Sequence, residues 1–459
     1  MTMKRKSIYI QKLSSLFWVI CFTAVLTISG CKKYLDAKPD QSIATPTTIQ
    51  DLQGILDNYA FVNARYPAAA EISSDNYYLK TSDWSSLIDV QRNLYTWQKY
   101  DLIGSDYVSP YSAIEYANII LDAIPHIDAD NPAATSVIKG NAFFVRASYH
   151  LALAQLYCKV YKNASAANDL GIALRTTSDI GIKPVRSTIA ETYQSIIHDL
   201  NSAAPLLPRQ PDVKYHAGKA AVYGLLARTY LSMSDYINAA TYADSALAIN
   251  NILINYNTVS KTSAIPFAQF NDEVIYDARS AAPQALAPAR AKVDTTLYRS
   301  FDPNDLRKVV FFKANADGSF GFKGNYTGQN NAAVFTGIAT DELYLIKAEC
   351  AVRNGNINDA LNTINKLLVT RWKAGTFVNI NINDKDQLLS TILIERRKQL
   401  MFRNLRWTDL RRLNLDQARS KIIVRNVNGS ISSLSPGSDR YVLQLDRSAV
   451  EISGLQQNP

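Results

Sequence analysis

Two patterns of hydrophobic and polar positions divide this chain. Residues 16–28 form an almost unbroken apolar run, with Lys4, Arg5, Lys6 and Lys12 before it and Ser29, Gly30 and Cys31 after it. The run falls short of the roughly 20 apolar residues that a helix needs to cross a membrane, and its basic start and small-residue end mark an export signal. Beyond about residue 48 the pattern changes to apolar residues three and four apart, which predicts amphipathic helices. Eight segments show it: 112–124, 137–161, 188–204, 219–233, 237–249, 341–353, 357–369 and 387–402. Short polar turns join neighbouring segments, so the helices are expected to pair as hairpins.

Two of these hairpins can be laid on each other. Residues 227–240 align without gaps on 348–361, with small residues at Ala227/Ala348 and Ala239/Ala360, where two helices must approach closely. Ser234 and Gly355 fall at the turn, a place for left-handed backbone. The unit resembles the tetratricopeptide repeat, a helix-turn-helix of 34 residues. The offset between the two copies is 121 residues, which is not a multiple of that period. The fold class expected is therefore mainly α, an interrupted tetratricopeptide-type helix-hairpin scaffold, at about 111–250 and 340–412.

The interruptions differ in composition. Residues 59–110 carry Tyr66, Tyr77, Tyr78, Trp84, Tyr95, Trp97, Tyr100 and Tyr107 among Ser, Asn and Asp, and residues 250–337 mix Tyr and Phe with Gly, Asn and Pro. They read as long aromatic-rich loop insertions, and loops on a rigid scaffold are where binding surfaces are built. Residues 31–48, polar and containing Pro39 and Pro46, read as a tether. The remainder, 49–459, reads as a single domain.

Charge and cysteines narrow the function. Removing residues 1–30 takes away four positive charges and no negative one, so the net charge falls from +9 to +5. That mild excess lacks the concentrated basic stripe of a nucleic-acid binder, so no nucleic acid is expected as a partner. Ile28-Ser29-Gly30-Cys31 looks like a bacterial lipobox, with cleavage before Cys31 and lipid on the new terminal cysteine. Cys158 and Cys350 sit in apolar helical patterns, where cysteine acts as a small hydrophobe.

Near the end comes ERRKQLMFRNLRWTDLRR, from Glu395 to Arg412, and the chain closes on Gln457-Asn458-Pro459. Together with the lipobox and the interrupted repeat, this resembles the SusD/RagB family, whose signature helix reads roughly E-R-R-x-E-L-x-F-E-G-x-R-W-x-D-L-R-R. Gln399, Arg403 and Asn404 depart from it, replacing Glu, Glu and Gly. Asn tolerates a left-handed helix end, so the turn should survive, whereas Arg403 puts a local ion pair in doubt. Glu395, Arg396, Arg406, Trp407 and Asp409 could suggest an acid, a clamp and a platform, but charges three or four apart on a helix pair with each other and Trp407 packs.

No catalytic constellation appears elsewhere, and neither an enzyme activity nor a cofactor is expected. His126, His150, His198 and His216 lack metal-ligand spacing, and there is no H-E-x-x-H, G-x-S-x-G or P-loop. What remains is noncovalent recognition. A sugar offers apolar ring faces and hydroxyl rims, which suit aromatic platforms ringed by Asn, Asp or Arg. Asp75, Asn76, Tyr77, Tyr78, Trp84 and Trp97 supply those types close together, and Tyr298, Phe320 and Tyr326 form a second, weaker set. The competing reading has Trp97 and several tyrosines packing the loops onto the helices.

The resemblance implies an outer-membrane, surface-exposed lipoprotein, held by the lipid on Cys31. It would capture a glycan or oligosaccharide and deliver it to a SusC-like, TonB-dependent outer-membrane transporter. Two other readings stay open on the residues: the same fold carrying peptides, or a helical-repeat scaffold that binds only proteins in envelope assembly.

Overall fold

The helical spacing is realised almost segment by segment in the computed structural model, which describes residues 46–100, 105–128 and 131–459. The export signal, Cys31 and most of the tether lie outside the described residues. The long helices are α1 (Ile49–Asp57), α2 (Ser105–Ala123), α3 (Pro132–Tyr157), α4 (Ile189–Ala203), α5 (Lys219–Ser232), α6 (Tyr236–Leu247), α7 (Thr340–Arg353), α8 (Ile357–Leu368), α9 (Lys385–Gln399) and α10 (Arg406–Leu413). From α2 to α8 each helix packs on the next, and α6 lies directly against α7 although the whole 250–337 insertion separates them in sequence. The protein is thus mainly α, with an interrupted helix-hairpin scaffold.

The aligned hairpins, α5/α6 and α7/α8, have the same construction. Ala227, Ala239, Ala348 and Ala360 are completely buried at the helix contacts. Ser234 and Gly355 both adopt left-handed backbone, at φ 61° and 85°. Each is followed by an N-cap side chain, Asp235 accepting from the Asn238 amide and Asn356 from the Asp359 amide. Such caps satisfy amide donors that the first helical turn otherwise leaves unpaired.

The insertions are more ordered than bare loops. Residues 59–110 contain short helices at Tyr59–Val62, Ala69–Ile72, Thr81–Ser85 and Asp89–Thr96, and α2 starts at Ser105, well before the residue 112 expected, with Pro110 inside it. Strands β1 (Tyr77–Tyr78), β2 (Leu170–Ala173), β3 (Arg186–Thr188), β4 (Val274–Tyr276), β5 (Lys292–Val293), β6 (Phe312–Ala314), β7 (Phe320–Phe322), β8 (Ile338–Ala339), β9 (Ile423–Val427) and β10 (Ser430–Leu434) pair only two at a time. Two antiparallel pairs matter most here. β1 pairs with β5, joining one insertion to the other, and β6 forms a hairpin with β7.

The signature stretch is an interior ion-pair network. Glu395 accepts from Arg307 at 2.5 Å and from Lys398 at 2.8 Å, and Arg396 reaches Asp409 at 2.9 Å. Arg412 binds Glu349 through both terminal nitrogens, at 2.6 and 2.7 Å. Arg403 is no lost ion pair: it meets Asp341 at 3.0 Å with its guanidinium 3.8 Å from the Tyr326 ring centroid. Asn404, at φ 60°, exchanges hydrogen bonds with Glu71 and donates to the Pro67 carbonyl. Trp407 is completely buried against Tyr441. The neighbour-on-one-helix pairing expected here holds for Glu395–Lys398 and Asp409–Arg412, while Arg396 and Arg406 reach partners farther off.

Candidate ligand-binding site

The residues singled out by composition separate by burial. Asp75 points inward, where its carboxylate meets Arg406 at 2.6 and 3.1 Å, Lys421 at 2.9 Å and Arg397 at 3.3 Å. Burial raises its pKa, but the three cations outweigh that and hold it well below the usual carboxylate range. Asn76 is completely buried, donating to Glu71 at 2.9 Å. Tyr77, 3% exposed, donates to the Ile72 carbonyl and packs against Tyr95 and Phe402. Trp97, in left-handed backbone at the end of the Asp89–Thr96 helix, donates to the Ser73 carbonyl from the core. Tyr326 is completely buried, its hydroxyl bound to Glu273 at 2.7 Å.

These five are corrections to the expected platform. Their rings are packed by the protein itself and, apart from the buried Asn76 Oδ1, their polar groups are paired within it, which leaves no exposed ring face for a sugar. The packing reading holds for Trp97 and extends to Tyr77 and Tyr326.

Tyr78, Trp84 and Tyr298 remain partly exposed. The two insertions, read from sequence as separate candidates, come together here. Tyr78 sits on β1 opposite Lys292 of β5. Lys80, at the start of the Thr81–Ser85 helix, forms an ion pair of 2.5 Å with Asp317 in the β6–β7 turn. Phe320 of β7 stacks on Tyr298 with centroids 3.6 Å apart and planes 15° from parallel. Trp84 lies on the same short helix, its indole nitrogen donating to the Arg92 carbonyl at 3.2 Å. Lys308 lies 5.4 Å from the Tyr298 ring centroid.

Aromatic faces next to Lys80 and Asp317 can stack on a sugar ring and bind its hydroxyls. Lys80 and Asp317 escaped sequence reading because they are far apart in the chain and belong to no motif. Phe320 belongs, with Tyr298, to the second set read from the sequence.

Among the described residues, the buried and paired histidines lie apart from the aromatic surface. His150 is completely buried, and burial beside Arg146 pushes its pKa down to about 3. His216 lies 2.9 Å from Asp57 on another face. Among the described residues, no cluster of His, Cys, Asp and Glu is placed to hold a metal. Cys158 and Cys350 are buried and unpaired, and burial pushes the Cys158 thiol up to about 12.

With this geometry in view, similarity to known proteins is informative. A family model described as "starch-binding associating with outer membrane" matches residues 33–231, and one described as "SusD family" matches residues 303–442. A SusD-like protein of Formosa agariphila is 23% identical, covering 98% of this chain and 99% of its own. Among solved structures, a SusD superfamily protein from Bacteroides vulgatus superposes with a TM-score of 0.76 at 20% identity, covering 90% of this chain and 99% of that one. A surface glycan-binding protein A from Bacteroides uniformis gives a TM-score of 0.70 at 15% identity, with 90% and 99% covered. At these identities the solved structures speak to fold alone.

Proposed function

Because the chain belongs to the SusD/RagB family, whose members associate with the outer membrane and bind carbohydrate, we propose that it is a cell-surface nutrient-binding lipoprotein. Anchored through lipid on Cys31, it captures an oligosaccharide and delivers it to a SusC-like, TonB-dependent transporter. Binding is noncovalent, and no bond is made or broken.

The observation that carries this reading is the convergence of the two insertions. The β1–β5 pair and the Lys80–Asp317 bridge hold Tyr78, Trp84 and the Tyr298/Phe320 stack on neighbouring segments while the other aromatics go inside. Each aromatic contact contributes about 0.5–1.5 kcal/mol, a factor of roughly 2 to 10 in affinity. Tyr78→Ala, Trp84→Ala and Tyr298→Ala should each weaken retention on gels cast with soluble polysaccharides by about that factor. The melting temperature should change little, since these rings are only partly buried. Unchanged retention in all three variants would remove the surface as the site, and retention of protein digests in place of glycans would turn the cargo to peptides.

A further inference from the structure

A cavity of about 520 Å³ opens between the segment following α3, the C-terminal end of α10 and the turn at 437–442. It shares no residue with the aromatic surface. Arg411 lines it and is only 6% exposed. The guanidinium donates to the backbone carbonyls of Gln155 and Cys158, and among the described residues no carboxylate pairs with it. Its neighbours make this exceptional. Arg396, Arg397, Arg403, Arg406 and Arg412, the other arginines of the same signature, each face an Asp or Glu. An arginine buried without a counterion is costly, and burial pushes its pKa down.

The rest of the lining agrees. The Tyr441 hydroxyl, on a residue 5% exposed, and the Asn414 amide nitrogen are both buried and face each other, with no other protein group completing a hydrogen bond to either. Lys159 and Lys162 stand at the rim with Asp169 and Asp439, and Asp169 is taken by Lys159 at 3.0 Å. Three cations thus face two carboxylates. Ser165 and Ser438 add hydroxyls, and Val160, Leu415 and Val442 add apolar surface. The size lies within the range of roughly 300–1,000 Å³ usual for small-molecule sites.

We propose that this cavity is a second ligand site, for an acidic saccharide of one or two rings, with a carboxylate or sulfate against Arg411 and ring hydroxyls on Tyr441 and Asn414. A charge-assisted, bidentate contact to a guanidinium gives both strength and orientation. The inference is independent of the glycan reading of the aromatic surface.

Isothermal titration of the full lipidated chain in detergent tests it, with galacturonic acid, glucose 6-sulfate, glucose and inorganic sulfate as probes. At least one acidic sugar should bind, at least tenfold more tightly than glucose and than inorganic sulfate, and more weakly as salt rises. Arg411→Gln should abolish that binding. Tyr441→Phe and Lys162→Gln, which alter little packing, keep the test open should Arg411→Gln fail to fold, and each should weaken binding about five- to tenfold. Trp84→Ala should leave it unchanged. The proposal falls if neither acidic sugar binds, if glucose or inorganic sulfate binds as well, if Tyr441→Phe and Lys162→Gln bind like the native protein, or if Trp84→Ala removes the binding.

Discussion

Glu349 shows how this chain carries charge in its interior. Its side chain is fully buried, yet it accepts from Arg412 at 2.6 and 2.7 Å and from Arg353 at 2.9 Å. Burial raises its pKa, but Arg412, Arg353 and Arg396 outweigh burial and bring it to about 2. A carboxylate depressed in the folded state contributes stability above its unfolded pKa, and that contribution is lost as pH falls through the folded value. The native protein should therefore lose stability between about pH 4.5 and 2. Glu349→Gln, which leaves Arg353 without its carboxylate and Arg412 with Asp409 alone, should cost about 3 kcal/mol at pH 7 in urea unfolding and flatten the acid limb. An acid limb of the same slope in the variant would refute this role. The same interior charge explains why Asp75 misled sequence reading. Asp-Asn-Tyr-Tyr has the composition of a sugar site, but Arg397, Arg406 and Lys421, more than three hundred residues downstream, turn its acid inward. Local composition contains no trace of those partners. Trp407 and Asn404 were legible because their roles, packing and a left-handed turn, are set by residue type and place in the motif.

Hairpin turns make the next level of organisation measurable. Ser234 occupies with a side chain the left-handed position that Gly355 fills without one, at φ 61° against 85°. A Cβ on Gly355 would meet nothing within 4 Å, so Gly355→Ala tests backbone conformation alone. It should destabilise by about 1–2 kcal/mol, and Ser234→Gly should change stability by less than about 1 kcal/mol, relief of strain being offset by chain entropy. Chemical denaturation of both variants checks this, and a neutral Gly355→Ala would show that the second hairpin does not depend on its turn. The eight long helices of the scaffold were legible because one apolar face repeats through each of them. α1 was missed although Thr48 and Asp51 form a reciprocal capping box at its start. The start of α2 was hidden by Pro110, which reads as a boundary but lies within the helix. The strand pairs were invisible because ladders of two to five residues, such as β1 with β5, are too short to display a period.

At the scale of the whole molecule, the interrupted repeat closes on itself. α6 meets α7 across the insertion, so the scaffold needs no continuous run of repeats, and residues 48–459 form one unit. Among the described residues no helix is long and apolar enough to cross a bilayer. A net charge of +5 after removal of residues 1–30 is too diffuse to hold the protein on a lipid surface. Acyl chains on Cys31 would do so, at about 0.8 kcal/mol per buried methylene, with more than one chain needed for stable anchoring. Cys31→Ala should therefore move the protein from the membrane to the soluble fraction. The melting temperature should stay within about 2 °C, because the unit spanning Thr48–Pro459 has its own core. Protease added to intact cells should degrade the native protein if the anchor faces outward, as capture of a nutrient requires. Membrane retention of Cys31→Ala would refute the lipid anchor, and resistance to protease on cells whose outer membrane is intact would refute the surface location.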